Sequence, residues 1–356
     1  MSPLAHEIML TLAVGNVVSG RLLAQRLGCS RAAIWKQVQA LRAAGVAITA
    51  SNSGYQWQQP GTVLDAGNVF AGLQPAVAER LQHLQCVPVC RSTNALLLAQ
   101  NHAGNACCLS EYQHGGRGRR GRQWNAPAYG SLLLSLRWEF AGGANALALM
   151  GIRSGLLLRD TLQQLIDAPV HLKWPNDIVV QQDDASAKLA GILIEMQGSI
   201  DGPCSVIIGI GVNVNWSADY RQQLRQQLCH SEVPAQHQAL PPVDLATLGA
   251  ACARNRLAAT LINHLASMCM QQEQGLGAPA DELIAIWQQH DLLYGERVRV
   301  SDERSDDVII ADGTAAGIDA SGAYRVRADG RMHSFNASSI SLRPWQAQSA
   351  CEAVIR

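Results

Sequence analysis

The 356-residue sequence has no G-x-x-x-x-G-K-[ST] phosphate loop, no kinase signature, no G-x-S-x-G elbow and no H-E-x-x-H pair. Those absences remove the support for P-loop ATPase, kinase, esterase and zinc-protease chemistry. Net charge is absent too, with 28 basic against 28 acidic residues, so no global attraction to nucleic acid or membrane is expected. The ten cysteines contain no C-x-x-C, and the adjacent pair Cys107-Cys108 cannot chelate zinc in the usual way. Cys86, Cys204, Cys252 and Cys269 stand in apolar stretches and read as buried thiols, so no resident metal site is expected. No apolar run reaches membrane-spanning length, and the start, MSPLAHEIML, has neither a basic leader region nor a small-residue cleavage site. The expectation is a cytoplasmic, reduced protein without a membrane partner. There is no solenoid repeat and no low-complexity tract.

What is present is a length suited to two or three domains and 48% hydrophobic residues to fill their cores. The charge balance is also uneven. Residues 1–60 hold Arg21, Arg26, Arg31, Lys36 and Arg42 against Glu7 alone, which directs attention to nucleic acid at this end. Ser19 is placed to cap a short helix with Leu22, Leu23 and Leu27 at helical spacing, and Gly28-Cys29 makes a turn. Ser30 caps a second helix that turns Ile34, Val38 and Leu41 to one side and stops at Gly45. Its other side offers Arg31, Ala32, Trp35 and Lys36, where a recognition helix meets base edges and phosphates. Residues 46–50 and 55–57, joined through Ser51-Asn52-Ser53-Gly54, form a hairpin wing. The first domain is therefore a winged helix-turn-helix over residues 1–61, with Pro60-Gly61 as a linker and Ser19, Ser30, Arg31, Ala32, Trp35 and Lys36 as DNA-binding candidates. A small helical docking module with a solvated basic face is the plainer alternative.

Residues 62–290 alternate strand-like runs (87–89, 132–136, 178–180, 192–195, 206–214) with helical ones (144–165, 254–270), an α/β domain with a mixed sheet. Residues 291–346 change to brief β runs at 298–300, 308–310, 324–326 and 340–342, broken by Asp-Gly, Gly-Ile-Asp and Ser-Gly turns, as in a small β-barrel. The whole is an α+β multidomain chain.

The densest motif is Gly116-Arg117-Gly118-Arg119-Arg120-Gly121-Arg122. Its letters satisfy G-x-G-x-x-G, but a dinucleotide turn needs a helix after the glycines, and Pro127 and Gly130 forbid one. Arginines between the glycines would also crowd the backbone approach those glycines serve. The run reads instead as a mobile cationic loop that folds over a phosphate-bearing ligand and stays loosely ordered without one. In Lys173-Trp174-Pro175-Asn176-Asp177, Pro175 ends a strand and fixes Asn176 and Asp177 in a tight turn, suited to orienting an amine or a Mg²⁺–phosphate group or merely to bonding its own backbone. In Lys188-Leu189-Ala190-Gly191-Ile192-Leu193-Ile194-Glu195, Lys188 stands at the mouth of an apolar strand, and Gly191 permits close approach. In Gly209-Ile210-Gly211-Val212-Asn213-Val214-Asn215, amides on a buried strand require partners, either a ligand or a neighbouring loop.

Ser92-Thr93-Asn94, then Glu111-Tyr112-Gln113 leading into GRGRRGRQW, then KWPND, KLAGILIE and GIGVNVN resemble, in order, the motifs of the biotin–protein ligases. The likeness runs from the winged helix to the closing SISLR, and points to the branch in which the same chain represses biotin biosynthesis genes. The resemblance implies a catalytic domain like that of class II aminoacyl-tRNA synthetases and an SH3-like last domain. It implies that ATP, with Mg²⁺ whose protein ligands are unassigned, activates biotin as biotinyl-5′-AMP. A lysine of the biotin carboxyl carrier protein of acetyl-CoA carboxylase then takes the biotin. It places Ser92, Thr93, Asn94, Gln113, Arg117, Gly118, Arg119 and Lys188 around biotin, and Arg119, Arg122, Trp124, Asn176, Lys188 and Asn213 around the nucleotide. Lys188, Arg119 and Asp177 become the catalytic candidates, Asp177 orienting the acceptor lysine. Operator DNA and a homodimer on it complete the implied partners. The sequence departs from the family in its acidic spacer (Asp183-Asp184) between KWPND and KLAG and in Ser338-Ser339, where Gly-Glu is usual. A ligand-sensing repressor with an inactive ligase-like domain is the rival reading. Residues 218–245, rich in Gln, Arg and His, match no known motif.

Overall fold

The computed structural model describes residues 2–58, 63–100, 104–142, 147, 149–182, 185–199, 202–229, 240–302, 308–337 and 340–344. Pro60-Gly61, Asp183-Asp184, Ser338-Ser339 and the Arg120 side chain lie outside the described residues.

Serines start the helices of the N-terminal unit. Ser2, Ser19 and Ser30 accept hydrogen bonds from the backbone N–H groups of Ala5, Leu22 and Ala33, opening α1 (Pro3–Leu12), α2 (Gly20–Arg26) and α3 (Arg31–Ala43). α3 ends as expected at Gly45, whose φ of +90° lets its N–H reach Arg42 while Val46 N–H returns to Leu41. The wing, β1 (Ile48–Ser51) with β2 (Gly54–Trp57), is tighter than the four-residue connection read from sequence, because Ser51 already pairs with Gly54. Ile8, Leu12, Leu23, Ile34, Val38 and Leu41 close the core with no exposure. The same core takes in Ala128 and Tyr129 from outside the unit. Tyr129 Oη meets His6 Nδ1 at 3.0 Å, its ring stands edge-on to Trp57, and Ala128 N–H bonds to Ala44 C=O.

Two short helices, α4 (Ala66–Ala71) and α5 (Pro75–Arg80), lead into β3 (Leu81–Val87). The strand expected at 87–89 in fact ends at Val87, where Pro88 removes a ladder donor. Then come α6 (Thr93–Ala99), β4 (Asn105–Ser110), β5 (Ser131–Phe140), α7 (Met150–Gln163), β6 (Val170–Lys173), β7 (Asp177–Gln182), β8 (Ala185–Gly198) and β9 (Cys204–Asn213). The described helix α7 is thus shorter than the expected 144–165. The seven strands are ordered β3-β4-β5-β9-β8-β7-β6, with β3–β4 parallel and the other pairs antiparallel. α8 (Ala218–Cys229) lies within the stretch that matched no motif, and α9 (Arg254–Glu273) and α10 (Ala280–Gln289) follow.

Alternation along the strands gives the sheet two unlike faces. Leu132, Leu134, Leu136 and Trp138 of β5, with Val206, Ile208, Ile210 and Val212 of β9, join α7 and α9 in the main core. The opposite residues, Ser135 of β5 and Gly209, Gly211 and Asn213 of β9, face away from that core. α6 covers one end of this second face through Leu97, packed with Ala106, Cys108 and Ile207. A buried ion pair fixes the edge of the domain: Arg254 Nη1 lies 2.6 Å from Glu111 Oε2, with both side chains almost wholly enclosed. Glu111 Oε1 also accepts from Leu64 N–H.

The last sheet, β10 (Arg297–Asp302), β11 (Val308–Ile318), β12 (Tyr324–Ala328), β13 (Arg331–Phe335) and β14 (Ile340–Pro344), is antiparallel in the order β13-β12-β11-β10-β14. β13 was not read from sequence, since Arg331–Phe335 is largely exposed and lacks an apolar run. Val298, Val300, Tyr324, Ile340 and Leu342 share the main core. Tyr324 stacks obliquely on Trp174 and edge-on to Trp287, and its hydroxyl donates to Asp291 Oδ2 at 2.6 Å. Burial pushes the Asp291 carboxyl up from 3.8 to about 6. The eight cysteines whose side chains are described are free, though Cys86 and Cys252 are only half-buried, against expectation. Burial raises the Cys86 thiol to about 12 and the Cys269 thiol further. No helix among the described residues is long and apolar enough to cross a membrane.

Candidate active site

Alternation on β9 places Gly209, Gly211 and Asn213 on one face, and Gly191 of β8 pairs with Gly211. The result is a strip of sheet without side chains, bounded by α6 at one end and β6–β7 at the other. Two side chains lie on it. A Cβ at Gly209 would overlap the Asn94 carboxamide. One at Gly211 would come within 2.6 Å of Trp124 Cε2.

At the α6 end, Ser92 caps the helix and is buried with Thr93 and Asn94. Gln113 Oε1 accepts from Thr93 N–H at 2.6 Å and from its hydroxyl at 3.1 Å. Ser135 Oγ lies 2.6 Å from Thr93 Oγ1 and 2.5 Å from Asn94 Oδ1. Asn94 Nδ2 donates to Leu193 C=O and, at 2.8 Å, to Glu195 Oε2. That same carboxylate oxygen accepts from Arg117 Nη2 at 3.0 Å. Ser135 and Glu195 were not singled out in the sequence. Glu195 closes the KLAGILIE motif, and a carboxylate ending an apolar strand was the available signal; Ser135 gave none.

The Gly116–Arg122 segment lies between β4 and β5 and runs over the strip, with backbone hydrogen bonds of its own. Trp124 N–H bonds to Gly116 C=O and Gly118 N–H to Arg122 C=O, and Arg119–Gly121 forms a single 3₁₀ turn. Arg117 reaches Glu195, and Arg119 Nη2 donates to Ala337 C=O between β13 and β14. With no longer helix after the glycines, the dinucleotide reading fails as argued from Pro127.

At the other end, Lys188 is the fourth residue of β8 rather than its mouth, because β8 begins at Ala185. Its Nζ lies 2.6 Å from Asp177 Oδ1 and 5.2 Å from the Trp124 ring centre. Asp177 opens β7 opposite Lys173, so it belongs to the ladder and not to the turn. Trp174–Pro175 is cis. Asn176 Nδ2 donates to Ile192 C=O at 2.7 Å. Asn213, 2% exposed, donates to Lys188 C=O and Val243 C=O and so clamps β8 and the 241–243 segment to β9. Burial lowers the Lys173 pKa against the opposing pull of Asp177; Lys188, Arg343 and Arg122 lower it further. Lys173 thus stands among three further cations, Lys188, Arg343 and Arg122, with Asp177 opposing their effect. Trp124 Nε1 is buried with no hydrogen-bond partner.

Lys188, Asp177, Asn176, Trp124, Arg117, Glu195, Asn94, Thr93, Ser92 and Gln113 therefore lie along one strip, cation-rich at one end and lined with amides and hydroxyls at the other. Such a strip can hold an elongated ligand that is polar at one end and polyanionic at the other. Among the described residues no group of three or more His, Cys, Asp or Glu side chains is placed to hold a metal ion.

Comparison with known proteins agrees with this geometry. Sequence models match an HTH domain over residues 6–56, the biotin/lipoate A/B protein ligase family over 86–213 and the biotin protein ligase C-terminal domain over 294–343. The bifunctional ligase/repressor BirA of Escherichia coli is 32% identical over 346 residues, covering 95% of this chain and 96% of that protein. BirA of Salmonella typhimurium is 32% identical over 341 residues, 93% of this chain and 95% of that one. A biotin protein ligase from Aquifex aeolicus, solved in complex with biotin and ATP, covers 75% of this chain and 99% of its own, with a TM-score of 0.54 at 22% identity, a likeness of fold. The chain belongs to the biotin–protein ligase family, in its bifunctional ligase/repressor branch.

Proposed function

We propose that the chain attaches biotin to a lysine of a biotin carboxyl carrier protein and, through its winged helix, represses biotin biosynthesis genes. A biotin carboxylate oxygen attacks the α-phosphorus of ATP, and the bond to pyrophosphate breaks. The acceptor lysine amine then attacks the acyl carbon of biotinyl-5′-AMP and AMP leaves. The observation that carries this reading is the bare sheet strip with Lys188–Asp177 at one end and the Asn94–Glu195–Arg117 node at the other.

Ser92, Thr93, Asn94 and Gln113 bind the biotin head. Arg117, Gly118 and Arg119 cover the acyl-adenylate and exclude water, and Lys188 neutralises charge at the reacting carboxylate and phosphate. Trp124, held beside Gly191 and Gly211, receives the adenine, with Asn176, Asn213 and Arg122 on the nucleotide side. Asp177 holds Lys188 and orients the acceptor amine. Mg²⁺ enters with the ATP substrate. On the same grounds we divide the chain near residues 61 and 290, read the central domain as class II synthetase-like and the last sheet as an SH3-like barrel, and expect cytoplasmic action as a homodimer on operator DNA.

Biotin-dependent ATP–pyrophosphate exchange tests the ligase half. Folded protein that gives no exchange would leave only an inactive ligand sensor. A gel shift on the host's biotin-biosynthesis promoter, with and without biotin and ATP at stated salt, tests the repressor half.

A further inference from the structure

Trp35 is the largest side chain on α3 and is 58% exposed, although Ile34, Val38 and Leu41 complete the core of that unit without it. Around it the surface is of one sign. Arg31, Lys36 and Arg42 are exposed on the same helix, Arg21 and Arg26 are exposed on α2 before it, and residues 8–64 contain no Asp or Glu. Arg31, Trp35 and Gln39 follow one another at four-residue spacing along one stripe. An indole left in water amid five cations does not suit a second copy of this face, which would oppose like charges. It suits a polyanion that presents an apolar group between its charged rails.

The apolar group that duplex DNA displays in the major groove is the C5-methyl of thymine. We infer that Trp35 reads thymine methyl groups of the operator, while Arg31 and Lys36 hold the flanking phosphates. This rests on the DNA-binding reading above and adds its chemistry: the indole N–H and ring edge reject a cytosine amino group and accept a methyl. Trp35 is then a specificity residue, whereas the cations supply affinity without sequence.

The test uses the full chain with biotin and MgATP. A duplex is selected from a random pool, and each thymine is then replaced singly by deoxyuracil, which removes the methyl and nothing else. At one or two positions per half-site the wild-type affinity falls about fourfold, the factor carried by one buried methyl-sized group. In Trp35→Ala that loss disappears at those positions and persists elsewhere, and in Trp35→Phe it is partly kept. Arg31→Ala and Lys36→Ala instead weaken all duplexes alike and reduce the salt dependence. An unchanged unfolding midpoint verifies that Trp35→Ala is folded. A flat uracil scan, or a scan that Trp35→Ala leaves unaltered, overturns the inference while leaving DNA binding intact. Loss of self-association by Trp35→Ala in sedimentation overturns it in favour of a protein interface. Failure to enrich any duplex sinks the DNA reading and this inference together.

Discussion

Replacing Gly209 by Ala puts a methyl where the Asn94 carboxamide lies. Either β9 shifts, an overpacking cost of about 1–3 kcal/mol, or Asn94 swings away. Swinging away forfeits a charge-assisted bond to Glu195 at 2.8 Å and neutral bonds to Leu193 and Ser135, together about 3–5 kcal/mol. The cheaper response sets the cost, about 1–3 kcal/mol. Because Asn94 is proposed to line the biotin pocket, the KM for biotin in pyrophosphate exchange rises at least tenfold. A double-mutant cycle isolates the cause. In an Asn94→Ala background the three nearest atoms that the new methyl meets are gone, so Gly209→Ala costs less than about 1 kcal/mol there, a coupling of up to about 2 kcal/mol. Denaturant unfolding followed by tryptophan fluorescence measures it. Equal costs in the two backgrounds would refute the packing argument, since the penalty would then belong to the strand and not to the amide.

Three further outcomes are expected. Arg254→Met leaves the Glu111 carboxylate enclosed without its cation and lowers stability by about 3–5 kcal/mol; adding Glu111→Gln recovers much of it in calorimetry, because the glutamine oxygen still accepts from Leu64 N–H. Asp291, raised from 3.8 to about 6 by burial, binds more protons folded than unfolded between those values. Its contribution is therefore fully present below pH 3.8 and lost as pH rises through about 6, by roughly 3 kcal/mol. Asp291→Asn should accordingly gain stability relative to wild type at pH 7.5 compared with pH 4.5; a difference independent of pH would contradict the assignment. Lys188→Ala and Arg119→Ala should each slow biotin-dependent exchange at least tenfold or shorten adenylate retention, with unchanged unfolding midpoints; wild-type kinetics would exclude the proposed roles.

The elements legible in the sequence were those with local signatures. The caps Ser19 and Ser30, Gly45 and the short apolar runs of β5 and β9 announced their structure, because caps and apolar runs act over a few residues. The site motifs were legible as chemistry-bearing runs, yet their partners were not. Nothing in sequence tells that Glu195 receives both Asn94 and Arg117, or that Ser135 reaches Thr93, since these contacts join strands and helices up to about a hundred residues apart. The partners of the cationic loop were equally out of reach, because the carboxylate and carbonyl that meet Arg117 and Arg119 come from β8 and from the connection between β13 and β14. Asp177 was placed in a turn because Pro175 marks a chain break, whereas the ladder resumes two residues later.

The tyrosine that fills the winged-helix core comes from the segment just before β5. The N-terminal unit is therefore not a detachable bead. Cut at the linker, it would lose a ring enclosed to 97% and the donors that Ala128 N–H and Ser217 Oγ supply to Ala44 and Gly45 at the end of its recognition helix. Any exchange of this unit for a foreign one must carry residues 127–130 with it, so the boundary along which such chains can recombine runs through the ligase and not between the domains.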